Sequence, residues 1–291
     1  MKKLISFVIL LAVLCAAFGA SAEEEKLYLA LGDSITTGYG LKEGEKSFPQ
    51  IVAEKNGYTL INRAINGNTA PGISMQLSDP EVLIDILNAD IITITCGGND
   101  LMAALYQYVA DVYNASVPED QKIQPADFLS VMTDPSDPRQ QMIMLAAQTA
   151  LNGNEEAGVV PFIMSGKIEP ALQEYLKTLS SILVSIRTFN SDVRIIVATQ
   201  YNPYKFFTGD YQGMADSMEA GAQALSMAIS ECVTLLNCET ADVYEAFSAS
   251  EINLCNADMT TMNLDFHPNA KGHEVIAECV LKVLESLQDQ K

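Results

Sequence analysis

The chain alternates short, almost wholly apolar runs with longer amphipathic stretches. Leu27–Leu31 reads Leu-Tyr-Leu-Ala-Leu and stops at Gly32, which predicts a buried strand. Thr59–Ile65 predicts a second strand, closed by Asn66-Gly67-Asn68. Asp90–Cys96 predicts a third, β-branched strand ending at Gly97-Gly98. Val193–Thr199 predicts a fourth and Ala241–Ala246 a short fifth. Helical patterning falls between them, at Ser47–Asn56, Pro80–Asn88, Pro170–Asn190, Gln212–Leu236 and Asn269–Gln288. In the third of these, Leu172, Leu176, Leu179, Leu183 and Ile186 recur on one face. Apolar strands alternating with helices predict a parallel sheet covered on both faces, an α/β protein built as a three-layer α/β/α sandwich. Ligands of such sheets sit beyond the carboxyl ends of the strands, so polar residues just after strands are the candidates for chemistry.

One region breaks the rhythm. Residues 101–169 carry the turn signals Val117-Pro118, Asp134-Pro135, Asp137-Pro138 and Asn152-Gly153, with helical stretches at Met102–Tyr113 and Gln140–Leu151. With no repeat and no second sheet in the pattern, residues 23–291 are expected to form one domain with a mainly helical insertion. The insertion holds Met102, Met132, Met142, Met144 and Met164, and methionine adapts to varied apolar ligands. It is expected to shield a sheet edge, to cap a substrate site, or to do both.

The start of the chain reads as an address. Lys2 and Lys3 precede an apolar run of 15 residues, Leu4 to Phe18, and then Gly19-Ala20-Ser21-Ala22. This is the pattern of a secretory signal peptide over residues 1–22, cleaved after Ala22, and it predicts a secreted protein. The run is short for a membrane span, which needs about 20 residues, so no stable membrane anchor is expected. Export permits disulfides, but Cys96, Cys232, Cys238, Cys255 and Cys279 are an odd set, so at least one thiol has no partner within the chain. The Cys232–Cys238 spacing allows a small loop, and the sequence does not choose among the pairings.

Composition narrows the function. The formal net charge is −20, which disfavours nucleic acid and anionic lipid as partners. There are only two histidines, His267 and His273, so a multi-histidine metal site is excluded and histidine chemistry must use one of them. No cofactor is required by anything in the pattern. Gly38-Tyr39-Gly40-Leu41-Lys42-Glu43-Gly44 imitates a nucleotide fingerprint, but its spacing is wrong and no helix is evident within it.

The strand ends supply a set of parts. Gly32-Asp33-Ser34 places a hydroxyl after the first strand. Gly67 follows the second and lets a backbone N–H approach a ligand. Asn99 follows the third within Gly97-Gly98-Asn99-Asp100 and offers amide donors. Asp265-Phe266-His267-Pro268 precedes the last helix and offers a base. Each alone has a bland explanation: a helix cap, a turn, a loop, a core histidine. In this order they make a nucleophile, two oxyanion donors and a base.

These residues resemble the blocks of the SGNH/GDSL hydrolase family, serine esterases and acylhydrolases on a flavodoxin-like sheet. Gly32-Asp33-Ser34 is similar to its first block, Gly67 to its oxyanion-hole glycine, Asn99 to its oxyanion-hole asparagine, and His267-Pro268 to its last block. Tyr201-Asn202-Pro203 resembles Gram-positive members. The resemblance implies Ser34 as nucleophile, His267 as base, and an oxyanion hole of Ser34, Gly67 and Asn99. It implies a carboxylic ester substrate, small or glycan-linked, and no metal. The family usually places its acid three residues before the histidine, where this chain has Leu264. Asp265 is the expected acid if the loop is reshaped, with a backbone carbonyl or Asp258 as alternatives. His273 is expected to be structural or exposed. Within the family, carbohydrate O-deacetylation competes with lipid ester hydrolysis; outside it, the rival is a non-catalytic surface binding protein. The sequence leaves the oligomeric state open.

Overall fold

The computed structural model describes residues 26–286 except positions 135 and 262. The segment read as a signal peptide and the end of the last predicted helix lie outside these residues. Strands β1 (Leu27–Leu31), β2 (Thr59–Asn62), β3 (Ile91–Ile94), β4 (Arg194–Ala198) and β5 (Glu239–Ala241) form one parallel sheet. Their order is β2-β1-β3-β4-β5. That is the flavodoxin-like winding, in which the chain reverses direction across the sheet between β1 and β3 and opens a crevice at their carboxyl ends.

Alternation along the strands sorts the core into two layers. Tyr28, Ala30, Ile196 and Ala198 face one side, where they meet helices α2 (Phe48–Asn56), α10 (Val243–Ala249) and α11 (Ala270–Glu285). Leu29, Leu31, Ile92, Ile94, Ile195 and Val197 face the other. There they pack on α3 (Ala70–Gln76), α4 (Pro80–Asn88), α8 (Ile168–Phe189) and α9 (Gln212–Leu235). A third core lies off the sheet. It is built by α5 (Gly98–Asn114), α6 (Phe128–Thr133) and α7 (Gln140–Asn152) around Leu105, Val109, Tyr113, Phe128 and Ile143, with Phe162. No described helix is long and apolar enough to cross a membrane.

Three elements differ from the sequence expectation. The fifth strand ends at Ala241, and most of the stretch predicted as strand is helix α10. Asp242 starts that helix by accepting the Glu245 N–H at 3.1 Å, a side-chain cap that outcompetes the local β-branched signal. Helix α3 was hidden inside a turn-rich stretch, where Thr69 caps it and Pro71 sits in its first turn. Helix α5 starts at Gly98, directly after β3, and so carries Asn99 and Asp100 in its first turn. All five cysteines of the described residues are thiols; Cys232 Sγ lies 3.2 Å from Ser180 Oγ instead of closing a loop with Cys238.

His273, on α11, is fully buried. Its Nδ1 accepts the Phe48 N–H at 3.2 Å, which puts the ring proton on Nε2, a buried atom with no partner among the described residues. Burial, helped by His267 nearby, lowers its pKa to about 4 from 6.5. Between these values the unfolded chain binds the proton and the folded chain does not, so stability falls as pH is lowered through this window. Wild type is expected to lose roughly 2–4 kcal/mol relative to His273→Gln between pH 6.5 and 4. Urea unfolding of the two proteins at stepped pH measures the difference, and parallel curves would refute it.

Candidate active site

Strand β1 is followed by Gly32, and Asp33 then caps the short helix α1 (Ser34–Thr37) by accepting the Ile35 N–H at 3.0 Å. Ser34 is thus the first helical residue. Its N–H has no partner inside the helix and meets no acceptor among the described residues. Asp33 is buried, and the Thr95 hydroxyl beyond β3 donates to its Oδ1 at 2.8 Å. The Asp33 N–H reaches back to Thr95 Oγ1 at 3.3 Å, so the Ser34 turn is pinned to the neighbouring strand. Burial raises the Asp33 pKa to about 6, with these hydrogen bonds opposing the rise.

His267 Nε2 lies 2.9 Å from Ser34 Oγ, and its Nδ1 lies 2.5 Å from Asp265 Oδ1. The same Oδ1 accepts the His267 backbone N–H at 3.1 Å, a local turn that locks the carboxylate beside the ring. The arm carrying them runs antiparallel to residues 255–258. Cys255 pairs with Pro268 and Asp258 with Asn263, so three steps on one side face five on the other. The surplus is a bulge, and bulges re-aim side chains. This is how a carboxylate two residues from the histidine reaches it. Leu264, at the usual acid position, is turned out to 42% exposure. Asp258 accepts the N–H and hydroxyl of Thr260 in its own turn at 2.8 and 2.7 Å. The rings of Tyr39 and Phe266 lie 4.6 and 4.5 Å from that of His267.

Asn99 sits on the first turn of α5, and its amide donates to Asn68 O at 2.8 Å. The second amide hydrogen has no acceptor among the described residues. Asp100 accepts the Ala70 N–H at 3.1 Å and ties the same helix start to α3. These two bonds fix the loop that holds Gly67. Gly67 has φ +74°, with nothing within 4 Å of where a Cβ would stand, so the space on that side of its Cα is open.

Ser34 and Asn99 line one cleft. Gly67 is not part of that lining and joins the site through Asn68. The rest of the wall is mainly apolar: Leu101, Met102 and Leu105 from α5, Phe162, and Met218 and Leu225 from α9. Segment 101–169 therefore builds its own core and also faces the site. The sequence missed Thr95 and Asn256. Thr95 follows an apolar strand as an unremarkable polar residue. Asn256 donates to Asp265 Oδ2 at 3.1 Å from 11 positions before His267, with no local pattern to mark it.

Residues 30–275 match the model of the GDSL-like lipase/acylhydrolase family. The chain belongs to that family. It is therefore an ester hydrolase of the acylhydrolase type. It is 22% identical over 299 residues to an uncharacterized Bacillus subtilis protein, YpmR, covering 97% of this chain and 94% of that one. Two solved structures share the fold. A lipase from a goat rumen metagenome is 20% identical with TM-score 0.57, over 88% of this chain and 96% of that one. An acetylxylan esterase from Geobacillus stearothermophilus is 17% identical with TM-score 0.52, over 89% of this chain and 94% of that one.

Proposed function

We propose that this protein is an exported serine esterase acting through an acyl-Ser34 intermediate. The observation that carries the reading is the unbroken line of contacts from Ser34 Oγ through His267 to Asp265. His267 Nε2 takes the Ser34 proton as Oγ bonds to the ester carbonyl carbon. Asp265 accepts from Nδ1, which leaves Nε2 unprotonated and facing Ser34, and stabilises the imidazolium. The carbonyl oxygen, now negative, takes hydrogen bonds from the N–H of Ser34 and Gly67 and from the free amide hydrogen of Asn99. The intermediate collapses, the C–O bond to the alcohol breaks, and His267 returns its proton to the leaving oxygen. Water, deprotonated by His267, then frees the acid and restores Ser34.

The acyl group bonded to Ser34 must lie where Ser34 opens, and that cleft is walled by Leu, Met and Phe. Apolar walls favour an alkyl chain, each buried methylene contributing about 0.8 kcal/mol. We therefore assign the protein to esters with longer acyl groups in preference to acetyl esters of carbohydrate. The test is a p-nitrophenyl ester series from acetyl to palmitoyl. kcat/KM is expected to rise from acetyl to a medium chain. A maximum at acetyl would overturn the assignment in favour of deacetylation. No turnover of any ester by folded protein would overturn the esterase reading in favour of a binding role.

A further inference from the structure

Within the bulged arm, one carboxylate oxygen of Asp265 is committed to His267, through the ring and the backbone N–H. The other, Oδ2, accepts only from Asn256 Nδ2 at 3.1 Å among the described residues. Asn256 is itself held from three directions. Its N–H donates to His267 O at 2.9 Å, and its carbonyl accepts the Asn263 side-chain amide at 2.9 Å. Its amide also points at Gly40 O, a long contact of 3.5 Å. Both neighbours of Nδ2 are pure acceptors, a carboxylate and a carbonyl, so the amide can stand only one way round. Space for it exists because position 40 lacks a side chain. A Cβ there would come within 2.7 Å of Asn256 Nδ2 and 3.2 Å of Asp265 Oδ2. Gly40 also has φ +87°, a conformation that side chains resist.

The Asp265 side chain is 30% exposed, three times as open as that of His267. A carboxylate so open, and on a bulge, can rotate into water and leave the imidazole unoriented. We propose that Asn256 is a positioning residue that prevents this: it anchors the outer oxygen of Asp265 and so holds the inner one on His267 Nδ1. The proposal rests on the reading of Ser34, His267 and Asp265 as the catalytic chain. It goes beyond it by naming what lets an acid at the shorter spacing do its work. The titratable groups around His267 and Asp265 include Tyr39, Asp33 before Ser34, His273 on α11, Cys255 beside Pro268, and Tyr201 and Tyr204, whose hydroxyls donate to Phe266 O and Leu264 O.

The test compares wild type, Asn256→Ala and Asn256→Asp by kcat, KM and the pH profile of kcat/KM. Asn256→Ala is expected to lower kcat about tenfold, the worth of one charge-assisted hydrogen bond, with KM unchanged. Its acidic limb should move to lower pH, because a wandering carboxylate stabilises the imidazolium less. Asn256→Asp has the same shape but puts a second negative charge beside Asp265. It should also lower kcat, while moving the acidic limb to higher pH. A merely structural role predicts no downward movement in Asn256→Ala, whereas the upward movement in Asn256→Asp follows from its added charge. Wild-type kcat and an unmoved limb in Asn256→Ala would overturn the proposal. If Asn256→Ala does not fold, Asn256→Ser, too short to reach Asp265 and uncharged, decides in its place, by whether its kcat falls and its limb moves down. Ser34→Ala measured alongside separates the two levels: if it stays active, the underlying reading falls. If it is inactive while the Asn256 variants behave as wild type, only the role of Asn256 falls.

Discussion

Ser34→Ala is expected to lower kcat for ester hydrolysis on the order of 10⁶-fold, with circular dichroism and thermal melting close to wild type. The loss is large because Oγ is the atom that bonds to carbon, and no other described hydroxyl stands opposite His267 Nε2. The fold should persist because Ser34 is the first residue of a short helix whose cap is Asp33, and removing Oγ leaves that cap intact. A fluorophosphonate probe gives a second readout: it should label wild type stoichiometrically and Ser34→Ala not at all. Wild-type turnover in the variant would end the serine-esterase reading.

Asp265→Asn is expected to lower kcat about 10⁴-fold. The substitution keeps shape and reverses hydrogen-bond polarity. The Asp265 oxygen nearest His267 now accepts from two N–H groups, the backbone and ring Nδ1. An asparagine oriented to keep the backbone bond still accepts from Nδ1 but loses the charge that stabilises the imidazolium. If it turns its amide to the ring instead, it drives the proton to Nε2, and His267 then faces Ser34 as a donor with nothing to accept. Either orientation impairs the base. A loss below tenfold would show that a backbone carbonyl orients the ring and that the 2.5 Å contact is incidental.

The sequence carried the parallel sheet well because each central strand is apolar on both faces, and two-sided burial leaves a continuous run with few readings. It misjudged residues 243–246 because β-branched Val and aromatic Tyr dominate a window whose outcome is set by the Asp242 cap. Ser34, Gly67, Asn99 and His267 were legible as candidates because each follows a strand, or precedes a helix, at a place where the chain must turn. The reach of Asp265 was not legible. It depends on a bulge defined by pairing with residues 255–258, and a bulge is a property of two segments in register. Asn256 was invisible for the same reason. The cleft's apolar character was foreshadowed by the methionines, yet of the five only Met102 lines it. Position on a helix face, set by packing, decided which side chain points inward.

The third core, around Val109, Tyr113 and Ile143, has one further implication. It is an apolar nucleus supplied mainly by one stretch of chain, with Met218 of α9 packed against it, and its members Leu105 and Phe162 also form the cleft wall. Ser34, His267 and Asp265 owe nothing to it, since they are held by β1 and by the arm before α11. The nucleophile, base and acid are therefore separable in inheritance from this part of the cleft wall, whereas Asn99, on the first turn of α5, is tied to it. Drift in residues 101–169 beyond that turn can retune acyl preference across descendants while Ser34, His267 and Asp265 stay untouched.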